Sequence, residues 1–146
     1  MKGDLRLLVT FVGGKPKVVL YQPVAAGGTP WTARTEAGGE TRFDNVAEIS
    51  NAKVVMQGDK DFTVEMSVPL NLLGVTISPT SRMKMDWGVL ISNDGNQVKQ
   101  RLYWANKAAT GTADEAVEAR LEPHLWGFIS CGDEVKNAGK SIPLNL

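Results

Sequence analysis

Apolar and polar positions alternate through two runs, Leu5 to Val12 and Lys15 to Tyr21, on either side of Gly13-Gly14. A period of two is what a strand with one buried and one wet face requires, and Gly-Gly readily takes the positive φ of a two-residue primed turn. The spacing predicts a hairpin with its register already set. Val9 falls opposite Val18 and Leu7 opposite Leu20 on one face, while Arg6 falls opposite Tyr21 on the other.

From Pro23 to Asn51 the alternation gives way to Gly, Ala, Thr, Pro and charge, which predicts a long loop carrying Trp31. Ala52 to Gln57 and Asp61 to Val68 then form a second predicted hairpin through Gly58-Asp59-Lys60, with Phe62, Val64, Met66 and Val68 on its buried face. Pro69 to Gly74 predicts about one helical turn, opened by Pro and closed by Gly. A third hairpin runs from Met83 to Ser92, turns at Asn93-Asp94-Gly95-Asn96 and returns from Gln97 to Trp104. Centring its turn on Asp-Gly sets Ile91 opposite Val98, Trp87 opposite Leu102 and Met85 opposite Trp104, with Gly88 opposite Arg101 and Asp86 opposite Tyr103 on the polar face. Residues 112–120 have helical character, and His124 to Cys131 reads as a last strand.

Close-set hairpins with no long amphipathic helix between them predict an all-β fold: an antiparallel β-sandwich, jelly-roll-like, with one or two short helical turns. The expected division is one domain over residues 1–131 and a C-terminal tail over 132–146.

Composition narrows the possible functions. Sixteen basic and sixteen acidic side chains cancel with no basic stripe, so a nucleic-acid partner is not expected. No apolar run reaches the roughly 20 residues of a membrane helix, and no signal peptide is visible. One Cys and one His supply neither a disulfide nor a zinc ligand set. Gly132 to Ser141 ends like a phosphate-binding loop, but its glycine spacing is too long and no helix-length segment follows. No Ser occupies a nucleophile elbow. Asp114 and Glu118 fall on one helical face, closer than the carboxylates that flank a glycosidic bond; hydrolysis through them is the weakest reading, and a calcium site using them is a further option. The expected activity is therefore non-catalytic.

Aromatic rings beside planar polar groups carry the remaining signal. An indole face packs on the C–H face of a pyranose while Arg and Asn address its hydroxyls. Arg101, Tyr103, Trp104 and Asn106 lie within six residues at one strand end, and Trp31 and Trp126 are placed to join them. Trp87 and Trp104 also fall on the apolar hairpin face, where core packing is the competing role. Asp86, Arg101 and Tyr103 are equally consistent with an internal polar cluster.

The run Met85-Asp86-Trp87-Gly88-Val89-Leu90, then Arg101-Leu102-Tyr103-Trp104-Ala105-Asn106-Lys107, Asp114, Glu118-Ala119-Arg120-Leu121 and Trp126-Gly127 resembles the C-terminal half of family 9 carbohydrate-binding modules and DOMON-type domains. Upstream, Gly3 to Leu8 and Val19 to Tyr21 resemble the central strands of that family. The resemblance implies a β-sandwich that binds carbohydrate between aromatic rings, sometimes with structural calcium, in an extracellular or periplasmic setting. Glu115-Ala116 replaces the usual Val-Pro, and Leu102 stands where Asn is common. Strands that precede Leu5 in the family are missing, which predicts a homo-oligomer covering the exposed edge. The alternative to sugar binding is a β-sandwich that has lost its ligand and serves as a structural or protein-interaction domain.

Overall fold

Gly13 and Gly14 take φ of 59° and 76°, and the turn they make joins β1 (Arg6–Val12) to β2 (Lys15–Gln22). Leu7 pairs with Leu20, Val9 with Val18 and Arg6 with Tyr21, the register that the turn chemistry predicts. This computed structural model describes residues 2–34, 39–58, 61–95, 98–107 and 122–131. Among them the chain is all-β, and every strand pairing is antiparallel. It divides into two compact units, Met1–Thr76 and Ile77–Leu146. The expected helical stretch at 112–120 and the expected tail at 132–146 lie outside the described residues.

In the first unit, the segment expected to be a loop holds three short strands: β3 (Trp31–Arg34), β4 (Glu40–Phe43) and β5 (Asn45–Glu48). Each is four residues long, too short for a period of two to stand out against the surrounding Gly, Thr and Pro. Partners define them instead. β3 pairs with β4, and β5 adds to β2 to complete a β1-β2-β5 sheet. Asn45 fixes the approach to β5, accepting from the Thr29 N–H at 3.1 Å through Oδ1 and donating from Nδ2 to Gln22 Oε1 at 2.8 Å. Gly28, at φ 116°, lies so close to Asn45 that a Cβ there would sit 2.5 Å from Oδ1.

One face of the three-stranded sheet builds the core: Val18, Leu20 and Ile49 are buried, with Leu5, Leu7, Val9, Ala52, Val54, Val68 and Leu73 packed around them. The second hairpin, β6 (Lys53–Gly58) and β7 (Phe62–Ser67), forms with Val54 opposite Met66 and Met56 opposite Val64. Its predicted buried face is not buried. Met56, Phe62, Val64 and Met66 are 48, 45, 46 and 44% exposed. Only the base of the hairpin, through Val54 and Val68, reaches the core cluster; alternation identifies a face without saying how far along the ribbon the cover extends. After β7, α1 (Leu70–Leu73) is the expected single turn, stopped by Gly74 at φ 64° with its N–H bonded back to the helix.

In the second unit the expected long strand from Met83 to Ser92 is split. β8 (Arg82–Met85) pairs with β11 (Gly127–Ser130), whereas β9 (Gly88–Ser92) pairs with β10 (Val98–Tyr103). Val98 pairs with Ser92, one residue from the predicted register, and an irregularity between Val98 and Gln100 takes up one more, so from Gln100 onward the β9–β10 register differs from the predicted one by two residues. Arg101 therefore faces Leu90, Leu102 faces Val89 and Tyr103 faces Gly88, while the Trp104 N–H bonds to the Trp87 carbonyl at 2.9 Å. A shift of two preserves which face each residue occupies. The expected last strand is shorter than predicted and is preceded by a 3-10 turn at Pro123–Leu125.

Candidate functional site

On the face of the three-stranded sheet opposite the core, Tyr21 stands beside Arg6 and Val46 in register. Phe43 from β4 meets it edge-on, with ring centroids 5.3 Å apart at 69°. Trp31 pairs with Phe43 across β3–β4 and lies on it at 6.2 Å and 24°, with its edge toward Tyr21 at 6.1 Å. Phe43 is fully buried, whereas Trp31 remains 46% exposed. An exposed indole thus lies against a fully buried phenyl ring. The opposite face of the hairpin from the indole carries exposed charge: Arg34 meets Glu40 at 3.2 Å, and Arg42, on that same face, approaches Asp44 at 3.8 Å. These solvated pairs contribute little stability.

The second unit gathers the other predicted residues at the end of β10. Asp86, in the break between β8 and β9, organises them. Its Oδ1 accepts from the N–H groups of Trp87 (2.9 Å) and Ala105 (2.8 Å), and its Oδ2 accepts from the Asn106 N–H at 2.9 Å. One carboxylate thus satisfies three backbone donors at the point where the chain changes partner strand, the kind of pairing a partly buried charge requires. Arg101 is buried, and Tyr103, Trp104 and Asn106 are half-buried. Tyr103 covers Gly88, where a Cβ would come within 2.6 Å of its ring. Trp104 lies on Gly127 in the same way, with a Cβ there reaching 2.6 Å from Cζ3. Lys107 donates from Nζ to the Tyr103 carbonyl at 2.8 Å.

The five predicted ligand residues thus fall into two groups. Arg101, Tyr103, Trp104 and Asn106 come together in the second unit, and Trp31 belongs to the first, on a strand rather than in a loop. Trp87 and Trp126 are half-buried. The sequence reading missed Tyr21 and Phe43 as the backing of Trp31. Tyr21 was legible as an outward-facing residue, but Phe43 carried no signal inside a segment without a clear period. The calcium candidates Asp114 and Glu118 lie outside the described residues, and among the described residues no three His, Cys, Asp or Glu side chains converge to hold a metal. No helix among them is long and apolar enough to cross a membrane. No family model, no curated protein and no solved structure matches the chain.

Proposed function

We propose that this is a non-catalytic carbohydrate-binding domain in which Trp31 is the principal stacking surface. The observation that carries the reading is a half-exposed indole held against a fully buried phenyl ring, Phe43, with Tyr21 behind it. The C–H face of a pyranose matches such a surface. The resemblance to family 9 modules agrees with this class of ligand. In the second unit, Arg101 and Asn106 serve structure in this reading, and Trp104 packs on Gly127 instead of presenting its face. One open ring implies weak binding, with Kd on the order of 1 mM.

The test is tryptophan fluorescence during titration with a panel of neutral mono-, oligo- and polysaccharides, on the natural chain and on Trp31→Ala. The expected result is a saturable change with at least one sugar that Trp31→Ala abolishes while the fold is retained. A flat response over the whole panel rejects the proposal.

A second reading, self-association without a sugar, is favoured by the β6–β7 face. Met56, Phe62, Val64 and Met66 share that face and carry no charge, so a second copy can oppose it about a two-fold axis without juxtaposing like charges. Light scattering at tens of micromolar is expected to give a dimer that Val64→Asp dissociates. A monomer in the natural chain excludes this reading.

A further inference from the structure

In the β8–β11 ribbon Phe128 pairs with Lys84 and Ser130 with Arg82, so these four side chains share one face. Met83 and Ile129 are half-buried on the opposite face. Phe128 is thus an aromatic residue on the wet side of its strand, and it is 66% exposed. Two cations accompany it. The Lys84 Nζ lies 5.2 Å from the ring centroid and the Arg82 guanidinium carbon 5.7 Å, both within cation–π range. Lys84 also donates to the His124 carbonyl at 3.5 Å. Among the described residues neither cation has an ion-pair partner; the pairs formed by Lys17, Arg34 and Arg42 all belong to the first unit.

Uncompensated positive charge draws anions, and the ring limits how far each cation can wander, so the pair is partly pre-organised. Arginine adds a planar fork suited to carboxylate or sulfate oxygens, and lysine adds a compact charge beside it. A phenyl group between them offers apolar contact that a simple anion would not use. We infer that the Arg82–Phe128–Lys84 face is a binding site for an acidic sugar, one whose uronate carboxylate or sulfate ester meets the two cations while its C–H surface lies on the exposed phenyl ring. The choice of a sugar over other anions rests on the function proposed above. Its residues belong to the second unit, whereas Trp31 belongs to the first.

Affinity electrophoresis of the full chain through gels containing polygalacturonate, dextran sulfate or neutral dextran tests this and separates carboxylate from sulfate recognition. Retardation is expected in one or both acidic gels, weakened by added salt, and reduced at least about tenfold in apparent affinity by Arg82→Gln/Lys84→Gln. Phe128→Ala, which keeps both charges, is expected to weaken it as well, a change that ion exchange alone would not show. Equal mobility in acidic and neutral gels, or unaltered retardation of the double variant, overturns the inference while leaving the Trp31 reading intact. Equal retardation by single-stranded DNA also overturns it, because the face would then be a general polyanion surface. Retardation in an acidic gel that survives Trp31→Ala, together with a flat neutral-sugar panel, sinks the Trp31 reading and leaves this site standing.

Discussion

Trp31 and Trp104 carry the same indole into two different settings. Trp31 lies on a buried phenyl ring at the start of a short hairpin, so its partner supports one side and leaves nearly half of the residue in water. Trp104 lies where another residue has no side chain: Gly127 leaves the room that a Cβ would take, and the indole fills it. Trp31 is left exposed and Trp104 half-buried. A ring behind the indole makes a platform, whereas a glycine beneath it makes a slot.

Removing the platform is the largest way to break this contrast. Phe43→Ala empties a fully buried site and is expected to cost about 3–5 kcal/mol in denaturant unfolding. It should also remove any sugar-dependent change in Trp31 emission from the protein that still folds. Asp86→Ala comes next, at about 2–3 kcal/mol, because the N–H groups of Trp87, Ala105 and Asn106 lose their shared acceptor. Its effect belongs to the second unit, so a sugar response that depends on Trp31 should persist below the new unfolding midpoint. Gly127→Ala sharpens the comparison most finely. The added methyl group meets the Trp104 ring at a distance that forces the ring to move, for a cost of about 1–3 kcal/mol and a change in the Trp104 environment with that of Trp31 unaltered. Unchanged stability in Gly127→Ala would show that the slot is looser than described.

Parts of this arrangement were legible in the residues, for reasons that differ from place to place. The β1–β2 register follows from Gly13-Gly14, since a two-residue turn leaves no freedom in pairing. The β6–β7 pairing was equally readable, but the exposure of Phe62, Val64 and Met66 was not, because depth depends on what the rest of the chain places over a face. The break at Asp86-Trp87 was hidden by apolar residues on both sides that read as one strand. Its cause is a carboxylate bonding to N–H groups about twenty residues away, which no local pattern records. The β9–β10 pairing beyond Gln100 is displaced by two, one residue of it at the bulge in β10, and so leaves the faces intact. Trp31 stood out as a candidate because it is a large aromatic residue in a polar segment. Its strand and its partner Phe43 emerged only from the pairing of β3 with β4.

The central claim, that the Trp31 face is open to a sugar and the Trp104 face is closed, can be tested on the four indole N–H resonances of the chain. In ¹⁵N–¹H correlation spectra, with Trp31→Phe and Trp104→Phe used for assignment, a sugar that binds is predicted to move the Trp31 signal progressively and leave the Trp104 signal in place. A titration in which the Trp104 signal moves and the Trp31 signal stays fixed would contradict the account.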